Sequence, residues 1–333
     1  MSENFSPEVI LSSRVRLARN IIDYPFAPVL NDVCRKEIIE KTSSILLKNG
    51  FSAFENLEIP VQAHALSEEH RISREFAKSK ETRALFIHPS KDIYVMVCEE
   101  DHLRIQAFES GLSLLKAGEK ALETDQLLQK DIRFAFDKEY GYLTHCPTNL
   151  GTAMRASVMM FLPALTMANR MGEVKSQLEK IGVTIRGLYG EGSAAEAYMY
   201  QISNSLSLGL SENDLLHKID TVARRIADDE LQTRDAVFRA NTDALTDKIF
   251  RSMGILKYAT MISGKEFLDC FAYIRLGISL GLIKEIAIAE LDTLLHKAMP
   301  AHILVRNPDA ANNTVLRDKL RAQIIQETIG GKN

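Results

Sequence analysis

The chain has 333 residues, more than the roughly 100 to 200 of one ordinary domain, so two domains are expected. Its 46% hydrophobic and 26% charged residues exclude a disordered chain, and 41 basic against 44 acidic residues give a net charge of −3, which excludes bulk attraction to nucleic acid or an anionic membrane. Cys34, Cys98, Cys146 and Cys270 lie far apart without a Cys-x-x-Cys pair, which disfavours a disulfide framework or a zinc site and suits reduced thiols in a cytoplasm.

The first residues carry neither a basic n-region nor an apolar h-region, and no run approaches the roughly 18 apolar residues of a membrane span. Residues 8–19 begin apolar and then alternate, so a strand would set Arg14 and Arg16 on one face and Val15 and Leu17 on the other. Such a pair fits either a solvated edge strand or an anion clamp, since guanidinium forks match phosphate oxygens. Residues 31–48 predict an amphipathic helix opened by Asn31 or Asp32 and closed by Asn49-Gly50. The weakly patterned stretch 51–82 reads as a loop with one or two short elements and contains His70. Residues 84–88 and 92–98 are β-rich runs split by Pro89-Ser90-Lys91, a hairpin signal. Glu99, Glu100 and Asp101 then lead into another alternating strand that carries Arg104, and 111–137 read as a long helix.

Residues 145–163 hold a thiol, a Pro-Thr-Asn turn, a glycine and a single arginine ahead of an apolar run, a density of special residues that favours chemistry. The pattern predicts a helix over 153–171, kinked or broken at Pro163. Residues 183–187 and 196–208 read as strands. Between them Gly190-x-Gly192-x-x-Ala195 matches a dinucleotide fingerprint only loosely, without a second βα unit bearing a ribose acid. From the capping pattern Ser211 to Asp214 onward almost everything to 299 reads as helix, with breaks near Gly254, Ser263-Gly264, Gly277 and Gly281. Mixed α/β therefore precedes an all-α region, with domains expected at 1–232 and 233–333.

No Gly-x-x-x-x-Gly-Lys-Ser/Thr loop and no protein-kinase signature occurs. Instead Arg14, Arg16, Arg104, Arg155 and Arg186 lie beside strand-like segments and could together neutralise a triphosphate. Glu100 and Glu191 sit in loops at strand ends, and Cys146 supplies a thiol. Arginines for an anion and carboxylates for a cation suggest a reaction joining an anionic donor to a cationic acceptor.

Ser-Ser-Arg-Val-Arg-Leu-Ala-Arg-Asn (12–20), Glu-Glu-Asp-His-Leu-Arg-Ile-Gln (99–106), Cys-Pro-Thr-Asn-Leu-Gly-Thr-Ala-Met-Arg-Ala-Ser-Val (146–158) and Arg-Gly-Leu-Tyr-Gly-Glu-Gly-Ser (186–193) resemble the ATP:guanido phosphotransferases. Within that family the likeness is to the bacterial protein-arginine kinases rather than to creatine or arginine kinases. The resemblance implies an α/β (α+β) fold: an antiparallel-sheet catalytic domain flanked by helices, followed by an all-α C-terminal domain for dimerisation or regulation. It implies ATP, with Mg²⁺ held through the nucleotide and no metal site of the protein's own. ATP would be held by Ser12, Ser13, Arg14, Val15 and Arg16, by His70 and Arg104, by Arg155, Ala156, Ser157, Val158 and Met159, and by Arg186, Gly187, Leu188, Tyr189, Gly190 and Glu191. Glu100 and Glu191 would grip the acceptor guanidinium, one of them as base, with Cys146 assisting as a thiolate.

The implied acceptors are arginine side chains of proteins in the cytoplasm, marked for stress-linked degradation. A homodimer is implied, with a heat-shock repressor, an activator protein and a Clp-type protease as partners; nucleic acid and membrane are not. A small guanidino acceptor, or an adaptor that has lost catalysis, are the alternatives. The family's phosphoarginine-binding Arg-Asp-x-x-Arg-Ala motif is expected at 308–313, where both arginines are missing. Arg317, Asp318, Arg321 and Ala322 repeat the pattern further on and stand as the candidate phosphoarginine site.

Overall fold

The computed structural model describes residues 7–187 and 196–330. Strand β1 (Ile10–Arg19) leads to α1 (Asp32–Leu46), whose first turn is closed by the Asn31 side chain accepting from Cys34 N–H. The helix chain stops at Gly50, where φ is +83°, and β2 (Ser52–Ala53) follows. Two short helices come next, α2 (Pro60–Glu68) and α3 (Arg74–Lys78), the second capped by Ser73. Then come β3 (Ala84–His88), β4 (Ile93–Val97), β5 (Leu103–Ser110) and α4 (Leu114–Gln129). A small hairpin of β6 (Phe136–Asp137) and β7 (Gly141–Tyr142) precedes β8 (Met154–Phe161), α5 (Pro163–Met167), α6 (Met171–Lys180) and β9 (Val183–Gly187). After β10 (Met199–Asn204) the chain is helical: α7 (Glu212–Ala240), α8 (Thr242–Tyr258), α9 (Gly264–Ser279), α10 (Ile288–Lys297), α11 (Pro300–Arg306) and α12 (Thr314–Ile329).

Eight strands form one sheet in the order β2-β3-β4-β5-β1-β8-β10-β9, every pairing antiparallel. Side chains alternate along a strand, so register decides which residues share a face. Val15, Leu17, Ile105, Ala156 and Val158 face α4 and α7 and form the main core with Leu114, Ala117 and Ile219. Among the described residues, the opposite face is packed under hydrophobic clusters towards its two ends. Near β3 and β4 it packs under α2 and α3 through Leu85, Met96, Ala63 and Phe76. Near β8 and β10 it packs under the C-terminal helices through Phe161, Met199, Phe267 and Phe271. The middle of that face is left to polar side chains.

The antiparallel sheet, the flanking helices and the helical C-terminal region agree with the sequence reading; several local expectations do not. Residues 154–161 are a strand beside the sheet centre, not the start of a helix, and the helix begins only at Pro163. Both faces of β8 are largely buried, so its apolar residues run on without a strict period of two, and a short run of that kind cannot be told from helix by periodicity. The thiol of Cys146 therefore precedes an arginine-bearing strand. Strand β1 is not an edge but lies between β5 and β8. Helix α4 ends at Gln129 rather than 137. Gly254 and Gly277 lie inside α8 and α9 and break neither; at Gly277 a Cβ would stand 2.5 Å from Ile249 Cγ2, so glycine there lets the two helices cross closely. Helix α7 passes through residue 232 without a break.

Candidate active site

Strand register assembles the arginines of the site. Across the β1–β8 pairing Ser12 opposes Met159, Arg14 opposes Ser157 and Arg16 opposes Arg155. Across β1–β5 Arg14 opposes Phe108, Arg16 opposes Gln106 and Ala18 opposes Arg104. Gln201 on β10 opposes Met159 on one side and Arg186 on the other. Opposed residues share a face, so Arg14, Arg16, Arg104, Arg155 and Arg186 all stand on the open face of the sheet. Ser12, Ser157 and Met159 stand with them. Ser13, Val15, Ala156 and Val158, named with them from the motifs, point to the other face and into or beside the core. Among these Ser13 Oγ donates to Gly111 O at 2.8 Å and accepts from Ser113 N–H at 2.9 Å, a tie between strand ends.

Five guanidiniums on one sheet face repel one another. Burial, followed by the charges of Arg155, Arg104 and Arg71, draws Arg14 down to about 10. Arg16 is pushed well down by burial and then by Arg14, Arg155 and Arg104, and Arg155 is lowered by burial and by Arg186 and Arg104. Arg14 is held by Gln201 Oε1 at 3.0 Å, the His70 carbonyl at 3.3 Å and Ser157 Oγ at 3.4 Å, and Arg155 by Ser203 Oγ at 3.1 Å. These partners are neutral. The buried Nε of Arg16 has no hydrogen-bond partner among the described residues. Arg14 and Arg155 on neutral supports, with an orphaned donor on Arg16, suit a polyanion.

His70 closes one side of the cleft. It follows α2 at φ +59°, with its N–H on Ser67 O at 3.0 Å and Arg71 N–H on Leu66 O at 2.8 Å. That is the left-handed helix stop usually given to glycine. Burial, then the charge of Arg14, brings its imidazole down to about 3, so it stays neutral beside the arginines. Replacing His70 with glycine should leave thermal stability unchanged or raise it by about 1 kcal/mol. The same variant should raise KM for the anionic substrate about tenfold, one good contact's worth. A melting curve beside a substrate titration checks both.

At the other end of the face, Arg104 donates to Glu99 Oε1 at 2.9 Å and to Glu100 Oε2 at 2.9 Å. Arg104 and Glu100 are thus brought together as expected, but tied to each other, and the fork they make shows how these two carboxylates hold a guanidinium. Glu100 is the outer partner, with its side chain 40% exposed against 7% for Glu99. Cys146 is half-buried, its Sγ 3.0 Å from Thr148 Oγ1 in the Pro-Thr-Asn turn.

Glu100 and the Cys146 segment are linked through Asp101, which the sequence reading grouped with its acidic neighbours without a separate role. The fully buried Asp101 accepts from Asn20 Nδ2 at 2.6 Å and from His145 N–H at 2.8 Å through the same Oδ1, while Asn20 Nδ2 also reaches Leu143 O at 3.1 Å. Asn20 Oδ1 accepts from His102 N–H at 2.9 Å. The end of β1, the Glu-Glu-Asp turn and the cysteine loop are therefore pinned at one point. Asp101→Asn should lower kcat about 10²-fold, the cost of misplacing reacting groups by about 1 Å, with the nucleotide affinity kept; a change in the rate of Cys146 alkylation would report the same displacement.

Leu188, Tyr189, Gly190 and Glu191 lie outside the described residues, as does the loose Gly190-to-Ala195 fingerprint. In the C-terminal region Arg317 is half-buried, with Nη1 on Ala311 O at 2.9 Å. Arg321 is buried, and it donates to Ala298 O at 2.9 Å, Ile262 O at 2.7 Å and Asp318 Oδ1 at 2.6 Å. Those bonds fasten α12 to the chain before α9 and after α10. Ala322 is buried behind them.

The family model described as ATP:guanido phosphotransferase, C-terminal catalytic domain, matches residues 34–233. The chain belongs to the ATP:guanido phosphotransferase family. A second model, the protein-arginine kinase McsB C-terminal domain, matches residues 242–333. A protein-arginine kinase of Caldanaerobacter subterraneus subsp. tengcongensis is 36% identical over 335 residues, covering 98% of this chain and 99% of that protein. One of Clostridium acetobutylicum is 39% identical over 294 residues, covering 86% of each. Among solved structures of the family fold, lombricine kinase superposes with a TM-score of 0.59 at 22% identity, over 69% of this chain and 68% of that one. The duplicated taurocyamine kinase of Schistosoma mansoni with transition-state analogue components gives 0.59 at 23% identity, over 84% of this chain and 49% of that one. Arg14, Arg16, Arg104, Arg155 and Arg186 lie on one face of this sheet.

Proposed function

We propose that this chain is a protein-arginine kinase that transfers the γ-phosphoryl group of ATP to arginine side chains of proteins. The observation that carries the reading is the placement of Arg14, Arg16, Arg104, Arg155 and Arg186 on one open sheet face, with a guanidinium-gripping pair of carboxylates at its edge. The full-length likeness to protein-arginine kinases supports it. The arginines cradle the triphosphate, with Ser12, His70, Ser157 and Met159 towards the nucleoside. Mg²⁺ arriving on the nucleotide neutralises charge on its phosphates.

Phosphoryl transfer through a loose transition state asks the protein mainly for in-line positioning and charge neutralisation. The acceptor is the harder half, because a guanidinium stays protonated to very high pH. Glu100 orients it and takes a proton as the N–P bond forms, with Glu191 as the second carboxylate on the strength of its motif. The Cys146 thiolate adds negative charge beside the acceptor without forming a covalent intermediate.

The expected division at about residue 232 is kept as a functional one, with the helical region serving dimerisation and regulation. Phe250, Tyr258 and Met261 are exposed along α8 and its end, which supports a homodimer contact there. Arg317, half-buried where Arg321 is buried, is the member of the Arg317-to-Ala322 motif that we assign to phosphoarginine; Arg321 supports it from within the fold. Marking for stress-linked degradation, with a repressor, an activator protein and a Clp-type protease as partners, and a cytoplasmic location follow the same likeness. No helix among the described residues is long and apolar enough to cross a membrane. Initial rates with a protein acceptor and with free arginine, each with ATP, test the reading. Turnover of the protein is expected; comparable turnover of free arginine would make this a small-guanidino kinase, and ATP binding without transfer to either would make it an adaptor.

A further inference from the structure

At the nucleoside end of the cleft lies a cavity of about 200 Å³ whose walls come from two distant parts of the chain. Its floor is the sheet face, with Ser12, Arg14, Met159 and Gln201. Opposite the floor stand Leu295 and His296 of α10 and Met299, the residue that caps α11. The volume is below the roughly 300 to 1,000 Å³ of a whole ligand pocket, so the cavity takes one end of a nucleotide and leaves the other in the open cleft. Glu68, Glu69 and Asp292 also line it beside Arg71, so its charges are mixed, whereas Arg16, Arg104, Arg155 and Arg186 lie outside its walls; a triphosphate belongs on them and the cavity is left to the base.

The roof is fastened to the catalytic sheet's own helix. The Glu68 carboxylate accepts the Ala301 N–H at 3.1 Å and 3.0 Å, satisfying the first turn of α11, which has no side-chain cap of its own. His302 Nε2 lies 3.2 Å from Glu69 Oε1. Arg275, fully buried, pairs with Asp292 on α10 and donates to Pro7 O at 2.7 Å. Helices α10 and α11 are thus held over the sheet from both sides. Burial holds the His296 imidazole below its ordinary value, so it faces the cavity as a neutral donor and acceptor. Met299 and Met159 both line the cavity, and their thioethers suit contact with an aromatic ring.

We propose that His296 and Met299 receive the purine base of ATP against the sheet, so that the C-terminal helices complete the nucleotide site and set its base specificity. This rests on the reading of the sheet face as the triphosphate cradle. The test uses the full chain and two probes, ATP and inorganic tripolyphosphate, which has no base. His296→Ala and Met299→Ala should each weaken ATP about tenfold, narrow the preference for ATP over GTP, and leave tripolyphosphate affinity within twofold. His296→Gln, which keeps a donor and an acceptor, should recover part of the loss, and tripolyphosphate binding reports that each variant is folded. Unchanged ATP affinity in both alanine variants overturns the inference, as does an equal loss of ATP and tripolyphosphate. Tripolyphosphate binding that survives Arg155→Met would instead overturn the cradle.

Discussion

Glu100→Gln is expected to lower kcat for protein phosphorylation by about 10² to 10⁴-fold, the usual contribution of a positioned general base, while ATP still binds. The substitution keeps the side chain's size and one oxygen for Arg104, so the loss would be chemical rather than architectural. In the structure Glu100 is the more exposed of two carboxylates that share the Arg104 fork, and it is the one an incoming guanidinium can reach. The Glu99 side chain is 7% exposed and also accepts from Ser73 Oγ at 2.5 Å, which leaves it a supporting role. Glu191→Ala should be comparably damaging if both carboxylates grip the acceptor. Retention of full turnover in either variant would remove that carboxylate from the chemistry.

Arg16→Met should cost activity and add stability at once. The lost donor stabilises charge in the transition state, and single donors of that kind are worth about 10² to 10³-fold in kcat. In the free protein the same guanidinium is an expense: its Nε is buried without a partner among the described residues, and burial with the charges of Arg14, Arg155 and Arg104 outweighs the favourable charge of Glu99. Releasing an unsatisfied buried donor returns about 1 kcal/mol or more, a rise in Tm of about 2 °C for a chain of this size. ATP should narrow the gap by stabilising the wild type and not the variant. Thermal melts with and without ATP, beside steady-state rates, decide it; a variant that melts lower and still turns over would contradict the picture of a site strained for its anion.

The sheet face was legible in the sequence wherever alternation was strict. Arg14 and Arg16 against Val15 and Leu17 gave β1 its two faces, and Asn31, Gly50 and Ser211 marked helix ends that the structure keeps. Strand β8 was not, because burial on both faces hides the period of two that identifies a half-buried strand. Glycines misled in a different way: Gly277 serves a close helix crossing, and composition cannot distinguish that use from a helix stop. His70 carried no local signal, since histidine occupies a turn position that glycine normally takes. Asp101 and Asn20 were present in the quoted motifs, yet their hub depends on residues more than 80 positions apart meeting in space. The roof over the cavity, His296 and Met299, depends on α11 lying against α2, which no local pattern records.

The most direct measurement of the central claim is phosphosite mapping at neutral pH by mass spectrometry, on a protein substrate incubated with ATP and either the wild-type chain or Glu100→Gln. Acid-labile phosphate on arginine side chains is expected with the wild type and should fall at least 10²-fold with the variant. Phosphate on serine or threonine, or on arginine at equal levels with both chains, would contradict it.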